Sequence, residues 1–124
     1  MTSNSPYTEA WLVGPKETKF YTRTYLPRDV PLRAAIVFVH GLGEHIGRYE
    51  HFHPSVAEKG IAVFAYDQRG FGRTALDEQK TKGSSIGKTS WNDQMDDISW
   101  ALDTVSSQYD TVPLFLMGHS MVSF

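Results

Sequence analysis

The stretch Pro113-Leu114-Phe115-Leu116-Met117-Gly118-His119-Ser120-Met121 decides the fold. Its apolar half has the length of a buried strand. It runs directly into Gly118-x-Ser120, the form of a sharp strand-to-helix turn that lifts a serine hydroxyl clear of a sheet. Two further runs repeat the strand signature: Ala34–Val39 (Ala-Ala-Ile-Val-Phe-Val) and Ile61–Tyr66 (Ile-Ala-Val-Phe-Ala-Tyr). Short and apolar at every position, such runs suit strands covered on both faces.

Helical patterns separate the three runs. Trp91, Met95, Ile98, Leu102 and Val105 fall at alternating steps of four and three, which predicts an amphipathic helix. Ser90, with Asp93 three residues on, reads as its N-cap. Tyr49, Phe52 and Val56 predict a second helix stopped by Gly60, with Pro54 forcing a late start or a kink. Strand, helix, strand, helix, strand implies a parallel sheet with right-handed crossovers. Ahead of it, residues 8–13 and 19–26 read as an antiparallel hairpin at a sheet edge, turned at Gly14-Pro15-Lys16 with glycine supplying an unusual φ. The fold class is therefore α/β: a hairpin plus three parallel strands with two crossover helices, in one domain spanning 1–124. Residues 1–7 are expected to be disordered. Residues 67–89 are long for a strand-to-helix connection, and their polar, glycine-rich second half reads as a solvated excursion.

Composition narrows the function classes. The 124 residues carry a net charge of −2, which gives no electrostatic argument for a nucleic-acid partner. The absence of cysteine excludes disulfides, thiolate metal sites and a thiol nucleophile. No apolar run approaches the roughly 20 residues of a membrane span, and the polar start lacks a signal-peptide core. A cytoplasmic location is the default expectation.

Sites in open parallel sheets form at the carboxyl ends of the strands. The three ends here read His40-Gly41-Leu42-Gly43-Glu44-His45, Asp67-Gln68-Arg69-Gly70-Phe71-Gly72-Arg73 and Gly118-His119-Ser120-Met121. A serine attacks an acyl carbon only with a base to take its proton and fixed donors to hold the oxyanion. The turn at Ser120 aims the N–H of Met121 at the reacting centre, and the Gly41-Leu42-Gly43 stretch can bring a second backbone N–H close.

These motifs resemble the α/β-hydrolase superfamily, and within it the monoacylglycerol lipase-like (serine aminopeptidase S33-type) family. His40-Gly41-Leu42-Gly43-Glu44-His45 followed by Gly47-Arg48-Tyr49 is similar to the family's HGxGEH…GRY stretch. Asp67-Gln68-Arg69-Gly70-Phe71-Gly72 is similar to its DHxGHG segment, and Gly118-His119-Ser120-Met121 to the start of GHSMG. The match runs from Trp11 to Met121. The resemblance implies Ser120 as nucleophile and the N–H groups of Leu42 and Met121 as oxyanion hole. It implies that His40, Gly41, Gly43, Gly118 and His119 shape the site, with Glu44 and His45 as structural support. It further implies hydrolysis of carboxylic esters such as monoacylglycerols through an acyl-enzyme, without metal or organic cofactor, and leaves room for peripheral contact with membranes or lipid droplets.

Two departures stand out. Val122 occupies the place of the motif's second glycine. The triad acid and histidine of this fold follow the serine in chain order, yet only Met121, Val122, Ser123 and Phe124 follow Ser120. The expectation is a truncated, inactive chain, with the strand before Ser120 left as a bare edge open to self-association. An upstream histidine oriented by Asp67 is the alternative base. His51 and His53, two apart, are expected on different helix faces and solvated. Arg69 and Arg73 are expected in structural ion pairs. Asp93, Asp96, Asp97 and Asp103 are expected on the wet face of their helix. A competing class is nucleotide binding, with Gly41-x-Gly43 after a strand and Asp67 ending the next; there the third glycine, Gly47, falls one residue late.

Overall fold

A computed structural model describes residues 5–119. Five strands form one sheet: β1 (Thr8–Gly14), β2 (Thr18–Tyr25), β3 (Ala34–Val39), β4 (Ile61–Tyr66) and β5 (Leu114–Gly118), in the order β1-β2-β4-β3-β5. The three apolar runs are the parallel strands, with Ala34 opposite Ile61 and Val39 opposite Gly118. The hairpin β1–β2 is antiparallel, and β2 joins β4 antiparallel from Thr22–Tyr66 to Tyr25–Val63.

Helices cover both faces. On one, α3 (Trp91–Gln108) buries Ile98, Ala101 and Val105 against Phe20, Val37, Val39, Phe64 and Tyr66. Trp100 stacks on Phe20 with ring centroids 4.9 Å apart. Ser90 caps this helix, its hydroxyl accepting the Asp93 N–H at 3.1 Å. On the other face the short α1 (Phe52–Ala57) lies over Tyr25, Phe38 and Val63. Pro54 is its third residue, in the first turn, where no intrahelical N–H is needed.

Several local expectations are corrected. The turn between β1 and β2 does not use Gly14 for its dihedral freedom: Gly14 has φ −117°, and the positive φ values fall on Lys16 (57°) and Glu17 (55°). Gly14 is required for space instead, because a Cβ there would come within 2.8 Å of the Phe20 ring and 3.0 Å of Trp100. The 67–89 connection holds a further helix, α2 (Gly72–Leu76), and is tied back to the body of the protein. The Lys19 N–H donates to Thr81 Oγ1 at 2.7 Å, and the Gly87 N–H to the Gly70 carbonyl at 2.7 Å. At the start of the chain, where disorder was expected over 1–7, the Tyr7 ring packs on Tyr25 and lies under the Arg23 guanidinium. Residues 1–4 lie outside the described residues.

His53 is not solvated. It is only 1% exposed, boxed by the rings of Tyr25, Phe38, Tyr49 and Phe52, while His51 on the neighbouring face is exposed. Asp97 is not on a wet face either. It is buried and forms a two-pronged ion pair with Arg69, at 3.0 and 2.8 Å. Arg69 also reaches Thr18 Oγ1 and the Pro15 carbonyl, so one side chain pins α3, the 67–72 loop and the hairpin turn together. Arg73 pairs with Asp77 at 3.0 Å and lies over the Tyr21 ring.

Candidate active site

The sheet order places β4, β3 and β5 side by side and parallel, so their carboxyl ends open at one edge of the sheet. The three motif-bearing stretches thus come together, although they are far apart in sequence.

The first stretch forms a tight turn. The Glu44 N–H donates to the Gly41 carbonyl at 3.1 Å, and Gly43 has φ +77°, the value a type II turn requires at its third position. The Glu44 carboxylate then folds back to accept the Gly41 N–H at 2.9 Å and the Tyr49 hydroxyl at 2.5 Å. Arg48 meets its second oxygen at 3.2 Å. The Tyr49 hydroxyl, the Gly41 N–H and Arg48 hold this carboxyl down to about 2. Between the fixed ends Leu42 is exposed, and its N–H bonds to no described group. A backbone donor held on a rigid turn and left unpaired is what an oxyanion hole needs.

His40 anchors the base of that turn. Its Nε2 accepts the Gln68 N–H at 2.9 Å, which leaves Nδ1 to donate to the Gly41 carbonyl at 2.8 Å. Burial pushes this imidazole toward its neutral form, as those bonds require. The Gln68 side chain adds a bond to the His40 carbonyl at 2.6 Å. His45 is exposed, with its ring against Gly47, and its carbonyl accepts the Arg48 N–H at 3.2 Å; its ring makes no hydrogen bond among the described residues.

Asp67 is the hub of the second stretch. Its buried carboxylate accepts the Ile46 N–H at 2.7 Å and the Arg73 N–H at 2.9 Å, bridging the two loops. Thr74 completes the joint, donating to the Asp67 carbonyl at 2.7 Å and accepting the Tyr21 N–H at 3.0 Å. Gly72 sits beside that carboxylate with φ +54°, and a Cβ there would collide with it. Both oxygens are thus engaged in holding the loops together, which gives Asp67 a structural role. His40, one of the five histidines that could serve as the alternative base, likewise has both ring nitrogens engaged.

The third stretch is fixed to the first. The His119 N–H donates to the Val39 carbonyl at 3.2 Å, and its Nδ1 lies 3.2 Å from the Tyr49 hydroxyl and 3.5 Å from Glu44. Gly118 pairs with Val39 in the ladder. Ser120 and Met121 lie outside the described residues, as does Val122. Sequence reasoning singled out His40, Gly41, Leu42, Gly43, Gly118 and His119, and the structure gathers all six around the ends of β3 and β5. It read Tyr49 as part of the following helix, whereas Tyr49 ends a separate 3-10 turn before α1, and it gave no role to Gln68; the side chains of both hold these loops. Both stand inside the quoted motifs, and that was the available signal. Among the described residues no group of three or more histidines and carboxylates is placed to hold a metal.

Comparison with known proteins agrees with this architecture. A monoglyceride lipase homolog of Monkeypox virus is 36% identical over 102 residues, covering 82% of this chain and 34% of that protein. Monoglyceride lipase of Mus musculus is 32% identical over 120 residues, covering 95% of this chain and 37% of its own length. The structure of a thermostable carboxyl esterase from Bacillus coagulans, in complex with glycerol, superposes with a TM-score of 0.78 at 30% identity over 93% of this chain and 36% of that one. A soluble variant of monoglyceride lipase from Saccharomyces cerevisiae shares the fold, with a TM-score of 0.74 at 24% identity over 98% of this chain and 37% of that one. The chain thus spans about a third of the length of each of these proteins. The profile of the serine aminopeptidase S33 family matches residues 30–123, from the lead-in to β3 to beyond Ser120 in the sequence, and the chain belongs to that family of α/β-hydrolase-fold proteins.

Proposed function

We propose that these residues carry the nucleophile and the oxyanion turn of a serine hydrolase acting on carboxylic esters, with monoacylglycerols as the substrate class. The observation that supports this reading is the Leu42 N–H, unpaired among the described residues, on a turn braced by Glu44 and His40, beside the strand that leads to Ser120. In the proposed reaction the Ser120 oxygen attacks the ester carbonyl carbon. The carbonyl oxygen takes up the charge and is held by the N–H groups of Leu42 and Met121. The serine proton passes to a base, and the alcohol leaves with a proton returned by that base.

Every histidine of the 124 residues precedes Ser120, and His40 is committed to its loop. We therefore propose that the 124-residue chain assayed by itself turns over no ester. The test is hydrolysis of a short-chain p-nitrophenyl ester, with labelling by a fluorophosphonate probe. Slow labelling lost in Ser120→Ala, without turnover, is the expected result. Turnover that disappears in Ser120→Ala overturns the inactivity, and labelling unaffected by that substitution overturns the nucleophile.

A second, non-catalytic reading is favoured by one observation. Phe115, Leu116 and Met117 of the edge strand β5 are all exposed, a surface suited to association with another chain. A location in the cytoplasm or against a lipid surface is proposed on the family resemblance. No helix of the described residues is long and apolar enough to cross a membrane.

A further inference from the structure

We propose that Tyr49 is a positioning residue that locks the oxyanion turn to the end of the nucleophile strand. The inference rests on the reading of the 41–44 turn and of Ser120 given above. Tyr49 ends a single 3-10 turn, Ile46–Tyr49, and its ring is held from two sides. It lies edge-on to Phe38 of β3 at 4.5 Å and stacks on the buried His53 at 5.4 Å, with planes 17° apart. Held this way, the hydroxyl stands at the junction of two elements. It donates to Glu44 Oε1, the oxygen that also receives the Gly41 N–H. Its remaining lone pairs face His119 Nδ1 at 3.2 Å.

The result is a continuous path from the residue before Ser120 to the backbone of the oxyanion turn: His119 imidazole, Tyr49 hydroxyl, Glu44 carboxylate, Gly41 N–H. The His119 N–H to Val39 carbonyl bond fixes the same strand end from the backbone side. Two loops that have to keep a sub-ångström relation during acyl transfer are thereby joined by one phenol. The path has a parallel branch, because His119 Nδ1 also lies 3.5 Å from Glu44. That branch is the longer one, so the phenol carries most of the coupling.

The test is amide hydrogen exchange and carboxyl titration by NMR on the full 124-residue chain. Removing a hydrogen bond to a charged acceptor loosens the group it fixes by roughly tenfold or more. Tyr49→Phe keeps the ring and is expected to speed exchange at the Gly41 amide about tenfold, with no change at the core amide of Val63. It is also expected to raise the Glu44 carboxyl from about 2 by a unit or more. His119→Ala is expected to speed Gly41 exchange in the same direction, and to add little in the Tyr49→Phe background. A merely structural tyrosine would instead speed Gly41 and Val63 exchange together. That outcome overturns the proposal, as does an unchanged Gly41 or full additivity of the two substitutions. Should Tyr49→Phe fail to fold, the effect of His119→Ala on Gly41 decides alone. Fluorophosphonate labelling of Ser120 is read in parallel. Absence of labelling in the unsubstituted chain, with the exchange pattern as expected, removes the hydrolase reading and leaves the coupling standing.

Discussion

Two residues of this site do work that their chemistry alone would not suggest. At Gly72 the 67–73 loop passes hard against the Asp67 carboxylate. The residue needs positive φ and has no room for a methyl group. Gly72→Ala is expected to destabilise the fold by about 2 kcal/mol or more, from the left-handed backbone and the displaced carboxylate together. Urea denaturation measures this, and an unchanged midpoint would show that the loop has slack. His53 is the second case. Burial among rings pushes its imidazole down to about 4, and neither ring nitrogen finds a partner among the described residues. The folded protein therefore binds this proton less readily than the unfolded chain, whose ordinary histidine value is about 6.5. The stability that neutral His53 permits is complete above pH 6.5. It is lost as pH falls toward 4, by about 3 kcal/mol in all. His53→Phe is expected to flatten stability between pH 4 and 6.5, as measured by denaturation across that range. A slope that survives the substitution would assign it to another group. Glu44 works in the same sense over a lower range, favouring the fold above its unfolded value near 4.5 and losing that contribution as pH falls toward 2.

At the scale of elements, legibility followed the strength of the local pattern. The strands β3 and β4 fall where their continuous apolar runs begin and end, since polar or turn residues bound both. The helix α3 was readable from its period and its serine cap. Ser90→Ala, which leaves the Asp93 N–H unpaired, is expected to cost about 1 kcal/mol in the same denaturation assay. A loss within error would mean that water serves the cap equally well. The α2 helix was not readable, because five residues (Gly-Arg-Thr-Ala-Leu) are too few to show a period, and what holds them is long-range. Thr74 and Arg73 are fixed by Asp67 and by β2. The placement of Asp97 failed for a related reason. Four acids on one helix look like a wet face until a loop 28 residues upstream supplies the Arg69 guanidinium that neutralises one of them. Likewise, the two-residue spacing of His51 and His53 correctly separated their faces. It could not say which face the sheet would cover.

The whole molecule is a sheet with two different edges. At one, β1 is a hairpin strand carrying the charged Glu9 and the exposed Val13. At the other, β5 pairs only with β3 among the described strands, and its Phe115, Leu116 and Met117 are 56%, 44% and 38% exposed. Register with Ile36, Val37 and Phe38 sends Phe115 and Met117 to the α1 face and Leu116 to the α3 face, so both sides of this edge present apolar surface. An edge strand normally carries charge, a bulge or a proline to discourage pairing, and β5 has none within Leu114–Gly118. The isolated 124-residue chain is therefore expected to self-associate through β5 at micromolar concentration, seen as a concentration-dependent sedimentation coefficient. Leu116→Lys places a charge on the edge without touching Gly118 or His119, and is expected to shift the chain toward monomer. A wild-type chain that sediments as a monomer and unfolds cooperatively and reversibly would mean that this edge is covered in some other way. A chain that associates equally with and without Leu116→Lys would move the contact away from β5, to a surface such as the exposed Phe52 at the start of α1.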